Sequence, residues 1–203
     1  GGRTFTTREA LDRFFERWKG ALATHLPNAS NPERASDRMP VGHVLIIDAT
    51  TPTPDKDSGS IDMVNLISIL VSQRYRVHFI PQTNFAHFGR YTEQLQAKGV
   101  ECIYAPYYTS VDQYLAERGE LFSHVILARL PVAEATIADV ERHAPHAAKI
   151  FYTVDMHGLR SEREAELKGD RDAILAARQL VAAEQRMIRR ADLTVVLSVF
   201  EEK

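Results

Sequence analysis

The chain has 203 residues, which is enough for one well-buried domain with an appendage but short for two full domains. Its 44% hydrophobic and 26% charged residues are ordinary for a globular protein, and a formal net charge of -2 provides no overall basic field for nucleic acid. The single cysteine, Cys102, excludes an internal disulfide framework and suits a reducing compartment. No apolar run reaches the roughly 18 residues typical of a membrane span, and we expect a cytoplasmic protein.

The first predicted element is a helix over residues 4–26, because Phe14, Trp18 and their apolar neighbours recur at three- and four-residue spacing. The polar stretch that follows, residues 27–40, is bounded by prolines and is typical of a linker or surface loop. We therefore expect residues 1–40 to form an N-terminal helix and linker, which either packs back on the main domain or connects it to another module.

Apolar runs alternate with helical patterns through the main domain, residues 41–203. The six runs that predict strands cover residues 43–49, 75–81, 100–106, 123–129, 147–154 and 193–198. The last helical region, residues 158–190, is long and charged, and "KGD" at 168–170 is expected to break it. Near-continuous apolar strands that alternate with helices form a parallel sheet covered on both faces. The sequence thus predicts a Rossmann-like α/β fold: a six-stranded parallel sheet with helices on both faces, plus an N-terminal helical extension.

Ligands of such sheets bind at the carboxyl ends of the strands, and the first strand ends in a long polar loop, DATTPTPDKDSGS. This loop reaches the next predicted helix through Asp57, Ser58, Gly59 and Ser60. Glycine admits the close approach of a ligand, and the first N–H groups of a helix bind anions. Asp57 and Ser58 also fit N-caps, which satisfy the same donors without a ligand. The loop alone leaves ligand contact and capping open.

Arg129 follows the fourth predicted strand, in the sequence LARLP. An arginine at a strand end is suited to clamp a phosphate or carboxylate. It is equally suited to pair with Asp48 or Asp155, which end neighbouring strands. We favour the structural pairing.

The fifth strand runs into FYTVDMHGLRSERE, where Asp155 and His157 flank one residue. An aspartate that orients a histidine makes it a base near neutral pH. In the alternative, Asp155 caps the following helix and His157 is an exposed loop residue. Their place at a carboxyl end favours the functional interpretation. Arg160 and Arg163 follow on one face of the helix and either meet an anionic acceptor or pair with neighbouring glutamates.

Several well-known motifs are missing from the sequence. Without H-x-x-x-H, H-E-x-x-H or C-x-x-C we predict no metal site, and without G-x-S-x-G we disfavour an α/β-hydrolase. Neither G-x-G-x-x-G nor a Walker motif is present, so a standard dinucleotide or ATP site is not supported. Tyr104, Tyr107 and Tyr108 near the end of the third strand either line a pocket, where they would stack on a sugar, or cover an edge of the core.

Several of these segments together resemble a known family. HVLIIDATTPTPDKDSGS, HVILARLPVAE, FYTVDMHGLRSERE and RRADLTVVLS are similar to the N-terminal half of bacterial glycosyltransferases of family 4, which have the GT-B fold. The resemblance extends over about residues 41–203. One feature departs from the family, whose first loop often carries a Gly-Gly pair where this chain has Ser58, Gly59 and Ser60.

The resemblance implies a retaining sugar transfer that needs no metal and no cofactor, with a nucleotide-sugar as the donor substrate. It implies that this half holds the acceptor, that a second, C-terminal domain binding the donor is absent here, and that these residues alone are inactive. Asp57 to Ser60 would then lie near the donor phosphates, and Asp155 and His157 would face the reacting centre.

Acceptors in the family are often growing polysaccharides or lipid-linked glycans of the cell surface. The resemblance therefore allows peripheral contact with the inner face of the membrane and implies no nucleic-acid partner. Two alternatives remain open: half of a nucleotide-sugar epimerase of the same two-domain fold, and a non-catalytic Rossmann-like ligand-binding module.

Overall fold

The computed structural model describes residues 8–23, 40–154, 157–168 and 170–197, except for the side chains of residues 157, 159 and 160. The chain divides into two units, residues 1–40 and 41–203, and each is described here by itself. The first unit contains one described helix, Arg8–Leu22 (α1), which lies within the predicted 4–26; residues 4–7 and 24–26 lie outside the described residues.

The second unit alternates strands and helices in the predicted order. Its strands are Gly42–Asp48 (β1), Tyr75–Pro81 (β2), Glu101–Cys102 (β3), Phe122–Ala128 (β4), Ala148–Tyr152 (β5) and Leu193–Val195 (β6). Its α-helices are Ser58–Ser72 (α2), Arg90–Ala97 (α3), Val111–Arg118 (α4), Leu130–His143 (α5), His157–Lys168 (α6) and Arg171–Arg190 (α7). The predicted break in the last helical region is confirmed, because α6 ends at Lys168 and Asp170 caps α7.

All six strands are parallel and lie in the order β3-β2-β1-β4-β5-β6. This confirms the predicted six-stranded parallel sheet and its Rossmann-like α/β class. The third strand is much shorter than the predicted run 100–106. After Ile103 donates its N–H to the carbonyl of Phe79, the chain leaves the sheet, and Pro106 has no N–H with which to continue a ladder.

The sheet is covered on both faces because residues of alternating parity along each strand point to opposite sides. Leu45 and Ile47 of β1 belong to a core that also contains residues of α4, α5 and α7. Val44 and Ile46 belong to a second core that contains Met63 and Ile67 of α2 and residues of α3. The helices that follow β1 and β4 therefore pack on opposite faces.

Candidate ligand site at the carboxyl edge of the sheet

The strand order reverses between β1 and β4, which are hydrogen-bonded neighbours in the middle of the sheet. From β1 the chain crosses to β2 on one side, and from β4 it crosses to β5 on the other. The connections part at this point and leave a crevice beyond the carboxyl ends of the two strands, where open α/β sheets bind ligands. Asp48 ends β1 and Arg129 follows β4, so both lie beside the crevice.

Asp48 is a buried carboxylate, only 3% exposed. Its Oδ1 accepts the N–H of Ala49 at 2.7 Å and the Nε–H of Arg129 at 3.0 Å. Burial raises the pKa of the Asp48 carboxyl, while the Arg129 charge and the Ala49 N–H act in the opposite direction. The side chain of Arg129 is 39% exposed, so it links the buried carboxylate to the solvent-facing side of the crevice. The ion pair with Asp48, one of the two interpretations of Arg129, is present.

Asp57 is the N-cap of α2, and its carboxylate is used within the loop. Oδ1 accepts the N–H of Ser60 at 2.8 Å, and Oδ2 accepts hydroxyl hydrogen bonds from Ser60 at 2.7 Å and Thr53 at 3.3 Å. Ser60 is buried and accepts the N–H of Thr53 at 2.9 Å. The hydroxyl hydrogen bond of Ser60 is the largest influence that lowers the pKa of Asp57. The structure thus gives Asp57 and Ser60 the capping role.

Ser58 and Gly59 are the loop residues that remain open to a ligand at this helix end. Ser58 is exposed and Gly59 is half-buried in the first turn of α2. A Cβ at Gly59 would lie 3.0 Å from Cγ1 of Val154, 3.4 Å from Nη2 of Arg129 and 3.5 Å from Oδ1 of Asp57. The guanidinium of Arg129 therefore lies against the N-terminal turn of α2, where the helix dipole favours negative charge.

Two strained residues border the same place. Arg129 has φ 73° and ψ 143°, close to a region that is populated almost entirely by glycine. Val154, which follows β5, has φ 59°, an outlier for a β-branched residue. Such strain persists only where the surrounding structure imposes it, and it is concentrated at functional sites.

Asp155 lies outside the described residues, as does the side chain of His157, so their predicted pairing stays a prediction. His157 is the first residue of α6. The next residue, Gly158, is buried and donates its N–H to Oε1 of Glu184 at 3.1 Å. Glu184 belongs to α7 and is 4% exposed. This buried carboxylate was not predictable from the sequence, because it lies in a helix whose many charges are typical of a solvated face.

Arg160 and Arg163 both lie on α6, and the side chain of Arg163 is exposed. The side chain of Arg160 is outside the described residues. Three glutamates of α6, Glu162, Glu164 and Glu166, are the alternative partners of these arginines, and each also has a basic neighbour among the described residues. Glu162 and Glu166 approach Arg178 of α7 at 3.1 and 3.9 Å, and Glu164 pairs with Lys168 at 2.6 Å.

A cluster that sequence reasoning missed fastens the loop after β1 to the start of α3. Oδ2 of Asp55 accepts hydrogen bonds from Nη2 of Arg90 at 2.6 Å and from the hydroxyl of Tyr91 at 3.0 Å. The ring of Phe88 stacks on Tyr91 with centroids 5.5 Å apart, and Nζ of Lys56 lies 5.6 Å from the Tyr91 centroid. These contacts fix the loop after β1, which borders the crevice on the side of β2.

The predicted tyrosine cluster lies away from the crevice, beside the edge strand β3. Tyr104, Tyr107 and Tyr108 line a groove of about 420 Å³ together with residues of β3 and the end of α4. Tyr107 is 72% exposed, and the hydroxyl of Tyr108 donates to Glu117 at 2.8 Å. Both interpretations therefore have support, because the three tyrosines line a groove and Tyr108 also packs against the core; the sugar-stacking role stays a prediction.

Within the described ranges, no group of three or more His, Cys, Asp or Glu side chains is arranged to hold a metal ion. None of the helices in the described part of the chain has the length and apolar character needed to cross a bilayer. Comparisons with protein-family models, with curated proteins and with solved structures found no match to this chain.

Proposed function

We propose that this chain is the acceptor-side half of a retaining glycosyltransferase of family 4, which moves a sugar from a nucleotide-sugar to a glycan or lipid-linked acceptor in cell-surface polysaccharide synthesis. The observation that carries the proposal is the approach of the Arg129 guanidinium to the N-terminal turn of α2. This approach places a cation, which buried Asp48 holds, beside the N-terminus of a 15-residue helix at the point where the strand order reverses. The sequence resemblance supplies the family.

Sugar transfer generates negative charge on the leaving group. The bond between the anomeric carbon and a phosphate oxygen breaks, and a nucleoside diphosphate departs with the bonding electrons. Free N–H groups at a helix N-terminus and a fixed guanidinium stabilise such charge without reorganisation. In this proposal the amides of Ser58 and Gly59 and the guanidinium of Arg129 face the donor diphosphate.

The acceptor hydroxyl forms the new bond to the anomeric carbon and must lose its proton. We assign that proton to His157, oriented by Asp155, or to the departing phosphate, which becomes basic as it leaves. Arg160 and Arg163, about one and two turns further along α6, would hold an anionic acceptor. These assignments rest on the sequence pattern and on the position of α6 after β5.

The first test asks whether the crevice binds phosphate, with inorganic pyrophosphate as the probe and amide NMR shifts of the 203-residue chain as the readout. We expect the amides of Ser58 and Gly59 to move most, and Arg129→Gln to weaken binding about tenfold, the worth of one charge-assisted contact. Arg190→Gln is the matched control, since Arg190 is an ion-paired arginine that ends α7 just before the amino end of β6, at the edge of the sheet opposite the crevice. Shifts scattered over surface cations, or equal losses in both variants, would contradict the proposed site.

The second test measures sugar transfer by the complete protein that the gene encodes. His157→Ala should lower the rate at least about a hundredfold, the usual contribution of general base catalysis, while the melting temperature stays unchanged. An unchanged rate would remove His157 from the reaction. Pyrophosphate binding without transfer to any acceptor would favour the binding module, and interconversion of nucleotide-sugars would favour the epimerase.

A further inference from the structure

The helix α1 carries a continuous stripe of large apolar side chains that face outward. Leu11, Phe14, Phe15 and Trp18 are 42%, 51%, 58% and 47% exposed, and α1 contains no buried residue. At about 100° per residue these four, with Leu22, fall within one side of the helix. The ring of Phe14 contacts those of Phe15 and Trp18, with centroids 6.0 and 6.4 Å apart, so the aromatic residues form one surface.

Cations line both borders of this stripe. On the helical wheel Arg8 and Lys19 follow directly beyond Phe15 on one border. On the other border two alanines lead to Arg17, whose guanidinium lies 5.9 Å from the centroid of Trp18. The stripe is therefore flanked by positive charge on both sides.

The carboxylates of α1 lie farther round the helix than the cations Arg8 and Lys19, with Glu9 and Glu16 nearly opposite the stripe and Asp12 closer. Glu16 approaches Lys19 at 3.8 Å, and Glu9 approaches Arg13 at 3.7 Å. All four of these side chains are at least 76% exposed, so the pairs are weak and leave the cations able to meet another partner.

We propose that α1 is an interfacial helix that binds the surface of an anionic lipid bilayer. Aromatic and leucine side chains would enter the boundary between headgroups and acyl chains, while Arg8, Lys19 and Arg17 reach the phosphates. Tryptophan, phenylalanine and leucine on an apolar stripe with basic borders are typical of such helices. A second copy fits less well, because two heptads are few for a coiled coil and bulky aromatic residues occupy three of the five stripe positions, where Leu and Ile are usual. The inference rests on α1 alone and is independent of the sugar-transfer proposal.

Trp18 makes the test direct, because it is the one tryptophan of the 203 residues and lies within the stripe. The chain is mixed with vesicles of phosphatidylcholine containing a quarter phosphatidylglycerol, and with vesicles of pure phosphatidylcholine. We expect the Trp18 emission to shift to the blue and the chain to sediment with the anionic vesicles. High salt or pure phosphatidylcholine should reduce binding about tenfold or more, because the cations are then screened or unmatched.

Two pairs of variants distinguish binding through the apolar stripe from non-specific binding of the chain to vesicles. Phe15→Ser should weaken vesicle binding about tenfold, through the lost burial of one large side chain, whereas Ile69→Ser, which changes an equally exposed residue of α2, should not. Lys19→Glu should weaken binding to anionic vesicles more than Arg13→Glu, since Arg13 lies on the side of α1 away from the stripe.

Three results would overturn the proposal. Trp18 emission that is already blue-shifted in buffer at every protein concentration would mean that the stripe is covered by the protein itself. A blue shift that grows with protein concentration in the absence of lipid would favour a second copy. Unshifted emission and no sedimentation with anionic vesicles would exclude a lipid surface.

Discussion

The Asp48 carboxylate depends on one cation for the stability of its charged form. Breaking the pair leaves a charge at a site that is 3% exposed, yet the partner Arg129 is 39% exposed, so water can replace part of the interaction. We expect Arg129→Ala to lower the free energy of unfolding near neutral pH by about 1–3 kcal/mol. Denaturant titration of the two proteins measures the difference.

The same position offers an internal control, because its backbone is strained. Arg129→Gly removes the same ion pair but suits φ 73° and ψ 143°. We expect Arg129→Gly to be more stable than Arg129→Ala by about 1 kcal/mol, net of the extra chain entropy of glycine. Equal stabilities would show that the backbone at this position is unstrained.

The cost of Arg129→Ala should also depend on pH. Burial holds the pKa of Asp48 in the folded state above its ordinary value of 3.8, so the ionised form is disfavoured in the folded state. The free energy of unfolding therefore falls as the pH rises from 3.8 to the folded-state pKa. Removing the guanidinium raises the folded pKa further and widens that window. The loss caused by Arg129→Ala should therefore shrink as the pH is lowered towards 3.8. A loss that stays constant with pH would mean that Asp48 is not the group left without its counter-charge.

Among single residues, some side-chain partners were predictable from the sequence and others were not. The pair of Asp48 with Arg129 was predictable because both residues end parallel strands, and such ends meet at one edge. The role of Asp57 was not, since a cap and a ligand contact use the same residue type at the same place. Glu184 was not predictable either, because its burial depends on the packing of α6 on α7, which no local pattern encodes.

The helices α2 and α7 both begin at an aspartate, so their caps can be compared. Asp170 accepts the N–H groups of Asp172 and Ala173, each at 3.1 Å, as Asp57 accepts that of Ser60. Asp57→Ala and Asp170→Ala should each cost about 1 kcal/mol, the usual worth of an N-cap. Thermal unfolding followed by circular dichroism measures both losses.

The two caps should differ in their effect on an anion. Asp57→Ser keeps a capping oxygen but removes a negative charge beside Arg129, so pyrophosphate should bind more tightly, by about threefold or more. Asp170→Ser should leave pyrophosphate binding unchanged. Weaker binding by Asp57→Ser would show that the Asp57 carboxylate supports the ligand instead of only capping α2.

Element boundaries were predicted least well where tertiary pairing decides them. The runs 100–106 and 193–198 are mostly apolar, yet the paired strands are only Glu101–Cys102 and Leu193–Val195. Both strands lie at the edges of the sheet and have one neighbour each, so fewer of their residues are hydrogen-bonded. The runs for β1 and β2 match the structure closely, because these strands have neighbours on both sides.

For the whole molecule, alternating apolar runs and helical patterns were enough to predict the parallel sheet and its two covered faces. They also located the crevice, because the switch point follows from strand order once the fold is known. The side-chain network inside the core was not predictable in the same way. His43 and His78 both lie in strands, and their contacts with each other and with α4 depend on the register of β1 against β2.

His78 lies at the centre of that network and is 2% exposed. Its Nδ1 is 2.9 Å from the hydroxyl of Tyr114, and its Nε2 is 3.0 Å from Nδ1 of His43. The carboxylate of Glu101 lies 3.4 Å from Nδ1 and is largely exposed. Burial, followed by the nearby charges of His43, Arg76 and Arg118, lowers the pKa of His78 to about 3.

This buried histidine should make the whole domain sensitive to acid. The unfolded chain takes up a proton at His78 near pH 6.5, whereas the folded chain does so only near about 3, so stability is lost as the pH falls between those values. One proton corresponds to a slope of up to about 1.4 kcal/mol per pH unit. His78→Gln keeps a polar side chain that does not titrate. From pH 6.5 downward the free energy of unfolding of this variant should therefore fall less steeply than that of the unmodified chain. This holds even if the variant is less stable near neutral pH. Urea titrations at several pH values measure both curves, and parallel curves would mean that His78 takes up its proton as readily in the folded domain as in the unfolded chain.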